Sequence, residues 1–103
     1  MVPHNKPTLG YREISAVKRV INSGWVAQGI EVNSLEDEIA AFLGLESSSN
    51  VVVVSSGTAA LFLALWALES KGRRVGVPVY SCSALKNAIE MSGAVPVYLD
   101  CAK

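Results

Sequence analysis

The chain has 103 residues, with nine basic against nine acidic side chains and a formal net charge of zero. That length fits one small domain, and the balance leaves no basic field for nucleic acid or an anionic membrane surface. A single histidine, His4, excludes a His-based triad or a multi-His metal site within the chain, and Cys82 and Cys101 have neither metal-ligand spacing nor a disulfide framework.

Half of the residues are hydrophobic and only 17% are charged. For so short a chain that predicts apolar surface covered by a partner or by further chain. The N-terminus has no apolar signal core, and the longest apolar run, Ala59 to Leu68, is far too short to span a bilayer. With no disulfide framework, a cytoplasmic location is expected.

Residues 1–9 carry Pro3 and Pro7 and read as an extended arm. From Tyr11 to Asn22, Ile14, Val17, Val20 and Ile21 fall on one helical face; Glu13 sits in the first turn and Gly24 supplies the stop. Trp25 to Gly29 is a loop. A tryptophan between two glycines is either a hydrophobic plug over a core edge or a wall of a ligand cleft, which makes Trp25, Gln28 and Gly29 candidates for a substrate loop.

A second helix is expected to start near Ser34. Ser34 with Asp37 resembles a capping box, Val32 can staple to the first turn, and Leu35, Ile39, Phe42 and Leu43 form an apolar face that ends at Gly44. Residues 45–50 form a polar loop. Four consecutive valines, Val51 to Val54, read as a buried strand. The small-residue turn Ser55-Ser56-Gly57-Thr58 then leads into a helix from Thr58 to about Ser70, apolar nearly all round, as expected of a helix buried on several sides.

A strand, a tight turn and a helix point free backbone N–H groups and the positive helix end at one spot, a natural seat for an anion such as phosphate. Gly57 allows close approach, Thr58 offers a hydroxyl, and Ser55 or Ser56 can cap the helix. A well-capped turn with no ligand explains the same residues, so both readings stay open here.

Val75 to Val79 reads as a strand ended by Pro78, Ala84 to Met91 as a helix closed by Gly93, and Val95 to Leu99 as a strand with Asp100 at its end. The fold class is therefore α/β: a βαβαβ unit over 51–100, with three mostly parallel strands and flanking helices, preceded by two helices over 10–44. Ligands of open parallel sheets bind beyond the carboxyl ends of the strands, where Ser55–Thr58, Tyr80–Ser83 and Asp100 fall. No Gly-x-Gly-x-x-Gly follows a strand, and no Gly-Lys-Ser/Thr ends the Ser-Ser-Gly-Thr turn. Dinucleotides and nucleoside triphosphates are thus poor candidates for the anion.

Five motifs in order carry a resemblance. They are Ser23-Gly24-Trp25-Val26-Ala27-Gln28-Gly29; Leu35-Glu36; Ser56-Gly57-Thr58-Ala59-Ala60-Leu61; Val77-Pro78-Val79-Tyr80-Ser81; and Ala88 with Gly93-Ala94-Val95-Pro96-Val97-Tyr98-Leu99-Asp100. From about Lys6 to Asp100 the chain resembles the start of the DegT/StrS family. These are pyridoxal-phosphate (PLP) dependent sugar aminotransferases of fold type I.

The resemblance implies that the chain is the N-terminal part of a large PLP-binding domain whose C-terminal remainder is absent. It also implies that Ser56, Gly57 and Thr58 hold the PLP phosphate. Where the family has a ring-stacking aromatic, this chain has Cys82, a soft contact or a small structural thiol; Tyr80 is the nearby ring. The implied reaction moves an amino group from an amino acid, glutamate by expectation, to a nucleotide-linked keto-sugar, in a cytoplasmic homodimer. Such sugars serve cell-surface polysaccharide or secondary-metabolite synthesis.

The family's Schiff-base lysine and its pyridinium-pairing aspartate come later in sequence, so no catalytic residue is expected here. None of Lys6, Lys18, Lys71, Lys86 or Lys103 stands in the family's lysine context; Lys86 reads as a solvated helix residue and Asp100 as structural. A non-catalytic remnant or a phosphate-binding assembly module is the alternative. Other fold-type-I enzymes, such as a cysteine desulfurase, fit the loop and final-strand motifs less well.

Overall fold

The structure, a computed structural model, describes residues 5–100. The element order is α1 (Tyr11–Ser23), α2 (Ile30–Leu43), a short 3-10 turn (Ser48–Asn50), α3 (Gly57–Ala67), β1 (Arg74–Pro78), α4 (Ser83–Met91) and β2 (Val95–Leu99). The chain divides into two compact units at Val52/Val53. The expectations for His4, Pro3 and Cys101 lie outside the described residues.

In the first unit, α1 begins after Gly10, whose amide donates to the Glu13 carboxylate at 2.6 Å. This is half of a capping box; Gly10 has no side chain to return the bond. Gly24 stops α1 in the left-handed region (φ 71°), which glycine enters without a Cβ penalty. Helix α2 starts at Ile30, with Gly29 as N-cap, and not near Ser34. Ser34 and Asp37 therefore lie inside the helix. A polar side chain three residues before an acid can cap only if the helix actually starts there, and the favourable Glu31 already occupies the first turn.

In the second unit, β1 and β2 pair in parallel, with Arg74 opposite Val95 and Pro78 opposite Leu99. The amide of Val79 extends the ladder to the Leu99 carbonyl at 2.9 Å. Both strands are edges of a two-stranded sheet, so Pro96, which has no N–H, can sit in mid-strand. Helix α4 makes the crossover and packs on both strands and on α3. Val77, Ile89 and Ala94 form the buried cluster, with Leu65, Val75 and Leu85 packed against it.

The fold class is mixed helix and strand with a parallel sheet, as expected, but the sheet has two strands among the described residues and not three. Val51–Val54 has no strand assignment, although Val51 keeps extended dihedral angles (φ −121°, ψ 133°). β-branched residues set the local backbone, yet a strand exists only where a neighbour completes its ladder. Helix α3 ends at Ala67, earlier than Ser70, because Glu69 turns into positive φ (52°) and the Ser70 amide bonds back to the Leu65 carbonyl. Leu61, Leu63, Trp66 and Leu68 are exposed.

Candidate functional site

The structure places the predicted site residues in three connections. Ser56, Gly57 and Thr58 open α3; Tyr80 and Cys82 lie between β1 and α4; Trp25, Gln28 and Gly29 lie between α1 and α2, in the other unit.

Ser56 is the N-cap of α3, in extended conformation (φ −160°, ψ 156°). Its hydroxyl accepts from the Ala59 amide at 3.2 Å, and its carbonyl accepts the first intrahelical bond, from Ala60 at 3.0 Å. Of the two candidate caps, Ser56 therefore acts and Ser55 does not. The capping bond takes the third amide of the first turn, leaving those of Gly57 and Thr58 for an outside acceptor. A Cβ built on Gly57 would meet nothing within 4 Å, so the seat is open, and Thr58 beside it is half-buried. Two amides, one hydroxyl and the positive helix end suit a doubly charged oxyanion.

After β1 the chain bends sharply. Ser81 Oγ donates to the Pro78 carbonyl at 2.7 Å, and the Cys82 carbonyl accepts from the Leu85 amide at 3.3 Å as N-cap of α4. Ser81 falls within the expected strand-end stretch Tyr80–Ser83, but its anchoring bond to Pro78 was not expected; the signal was a serine three residues after a strand-ending proline. Register places this bend and Asp100 beyond the carboxyl ends of paired strands. Tyr80 is fully exposed and Cys82 is an exposed free thiol. Lys86, in α4, is held by Glu90 one turn on, with Nζ 3.0 Å from each carboxylate oxygen. That bond and the adjacent charge raise the Lys86 pKa above its ordinary value and keep it a cation, which matches a surface lysine.

In the α1–α2 loop, the Trp25 indole N–H donates to the Gln28 carbonyl at 2.7 Å, and the Trp25 amide donates to Ser23 Oγ at 3.2 Å. Arg19 and Glu31 clamp the flanking helices, with guanidinium-to-carboxylate distances of 3.0–3.3 Å. Arg19, Ser23, Trp25, Gly29, Glu31 and Val32 line an open groove of about 660 Å³. The Arg19–Glu31 pair was invisible in the sequence, since its partners are separated by twelve positions and a loop of unknown closure. Among the described residues, no cluster of three or more His, Cys, Asp or Glu could hold a metal, and no helix is long and apolar enough to cross a membrane.

The family model of the DegT/DnrJ/EryC1/StrS aminotransferases matches residues 7–103. The chain belongs to this family. Among solved structures, it is similar to Spr1654 of Streptococcus pneumoniae, assigned as a sugar aminotransferase. The TM-score is 0.85 at 31% identity, over 98% of this chain and 25% of that one, with its PLP and PMP forms alike. It is also similar to the aminotransferase TlmJ of Streptoalloteichus hindustanus, with a TM-score of 0.80 at 37% identity, over 95% of this chain and 27% of that one. The chain thus spans about a quarter of the length of these structures. The likeness takes in 98% of this chain, so it includes α1 and α2 as well as the parallel β1–α4–β2 unit.

Proposed function

We propose that this chain supplies the phosphate-binding segment of a PLP-dependent sugar aminotransferase. In this reading Gly57 and Thr58 donate their amides to the cofactor phosphate, Thr58 adds its hydroxyl, and Ser56 holds the turn by capping α3. Tyr80 and Cys82 flank the ring, and the Trp25–Gly29 loop lies near the substrate mouth or the dimer seam. Bound PLP would supply the electron sink for moving an amino group. The residues of this chain bind and orient it: the phosphate seat fixes one end, so the ring cannot drift from the groups that act on it.

The acceptor would be a nucleotide-linked keto-sugar and the donor an amino acid, glutamate by preference, in a cytoplasmic homo-oligomer serving polysaccharide or secondary-metabolite sugar synthesis. Family membership, the sugar-aminotransferase assignment of Spr1654 and the PLP and PMP forms of that protein support this reading. The observation that carries it is the unobstructed approach to Gly57 beside a capped helix start.

A phosphorus NMR titration of PLP with the 103-residue chain tests the seat. We expect a saturable shift of the phosphate resonance that Thr58→Val weakens and that inorganic phosphate competes away. No phosphate-dependent binding would overturn the assignment. The same sample should form no saturable one-to-one covalent link between PLP and a lysine, and should not transaminate; either signal would overturn the reading that the reactive lysine lies outside this chain.

A further inference from the structure

We draw no further inference here: the strongest candidate, the exposed apolar surface of α3 formed by Leu61, Leu63, Trp66 and Leu68, carries nothing because nothing in the structure shows what covers it.

Discussion

The indole of Trp25 lies against the backbone of Gly29 so closely that a Cβ there would sit 2.8 Å from Cδ1 and 3.1 Å from Nε1. Gly29 has extended dihedral angles (φ −170°, ψ −150°), which any residue can adopt, so its requirement for glycine is steric and not conformational. The ring is rigid and its N–H is tied to the Gln28 carbonyl, so it cannot yield without losing that bond. Gly29→Ala should therefore destabilise the first unit by about 1–3 kcal/mol, the usual cost of overpacking. It should also shift Trp25 fluorescence, read in a Trp66→Phe background. Gly24→Ala makes the opposite case: nothing lies within 4 Å, but φ is 71°. It should cost about 1–2 kcal/mol through the left-handed backbone alone and leave the emission unchanged.

Gly57 should separate stability from ligand approach. It opens α3, its φ is not positive, and a Cβ would meet open space. Gly57→Ala should stabilise the chain by about 0.4–1 kcal/mol in chemical denaturation, because the unfolded state loses more freedom than the folded one. If the seat takes phosphate, the same methyl should weaken PLP binding in the phosphorus titration. A variant that gains stability and keeps full phosphate affinity would argue against close backbone approach at this position.

Capping makes a paired test at neighbouring serines. Ser56→Ala removes the acceptor of the Ala59 amide and should cost about 1 kcal/mol, within a usual range of about 0.5–2. Ser55→Ala, one residue outside the cap, should change stability by less than about 0.5 kcal/mol. Equal effects in urea melts would contradict the assignment of Ser56 as the cap.

Ser70 and Ser92 form a buried relay between the chain after α3 and the end of α4. Ser70 Oγ donates to Ser92 Oγ at 3.1 Å, and Ser92 Oγ donates to the Ile89 carbonyl at 2.7 Å. Ser92→Ala should cost about 1–3 kcal/mol, since it strands the buried Ser70 hydroxyl without its acceptor. The double alanine variant should cost less than the sum of the singles, because the second change removes the stranded group. Strict additivity in a double-mutant cycle would show that the two hydroxyls do not act together.

The pH limits should be set at opposite ends by different helices. Backbone amides, its own first and then that of Gly10, donate to the Glu13 carboxylate and hold its pKa below the ordinary value. A depressed folded-state pKa means that this contribution is complete above the ordinary glutamate range and is lost as pH falls through the lowered value. Lys86 has the reverse sign: its contribution is complete below the ordinary lysine range and is lost as pH rises through its raised value. Glu13→Gln should flatten the acid limb of a stability–pH curve and leave the alkaline limb unchanged, while Glu90→Gln should flatten the alkaline limb. Both groups are exposed, so the two effects should shrink with added salt.

Helix α1, a serine cap at Ser55 or Ser56, β2 and the family were legible in the residue order, because each rests on chemistry within a few positions; the structure chose Ser56. Ile14, Val17, Val20 and Ile21 mark a helical stripe, Gly24 ends it, and Ser56-Gly57-Thr58 starts another helix. The start of α2 at Ile30 is not legible in the residue order, because Ser34 and Asp37 imitate a start signal; whether a capping pattern acts depends on where the preceding loop lets the chain begin to coil. Within that loop the Trp25 indole bonds the Gln28 carbonyl, which no local pattern announces.

Sequence alone determined which segments prefer helix or extended backbone, and where an anion-binding turn can form, since dihedral preference and capping are local. Tertiary structure alone decided that Arg19 meets Glu31 and that Ser70 meets Ser92. Each of these needs a partner brought in from elsewhere in the chain, and closing the intervening loop is a property of the whole fold that no short stretch of residues encodes.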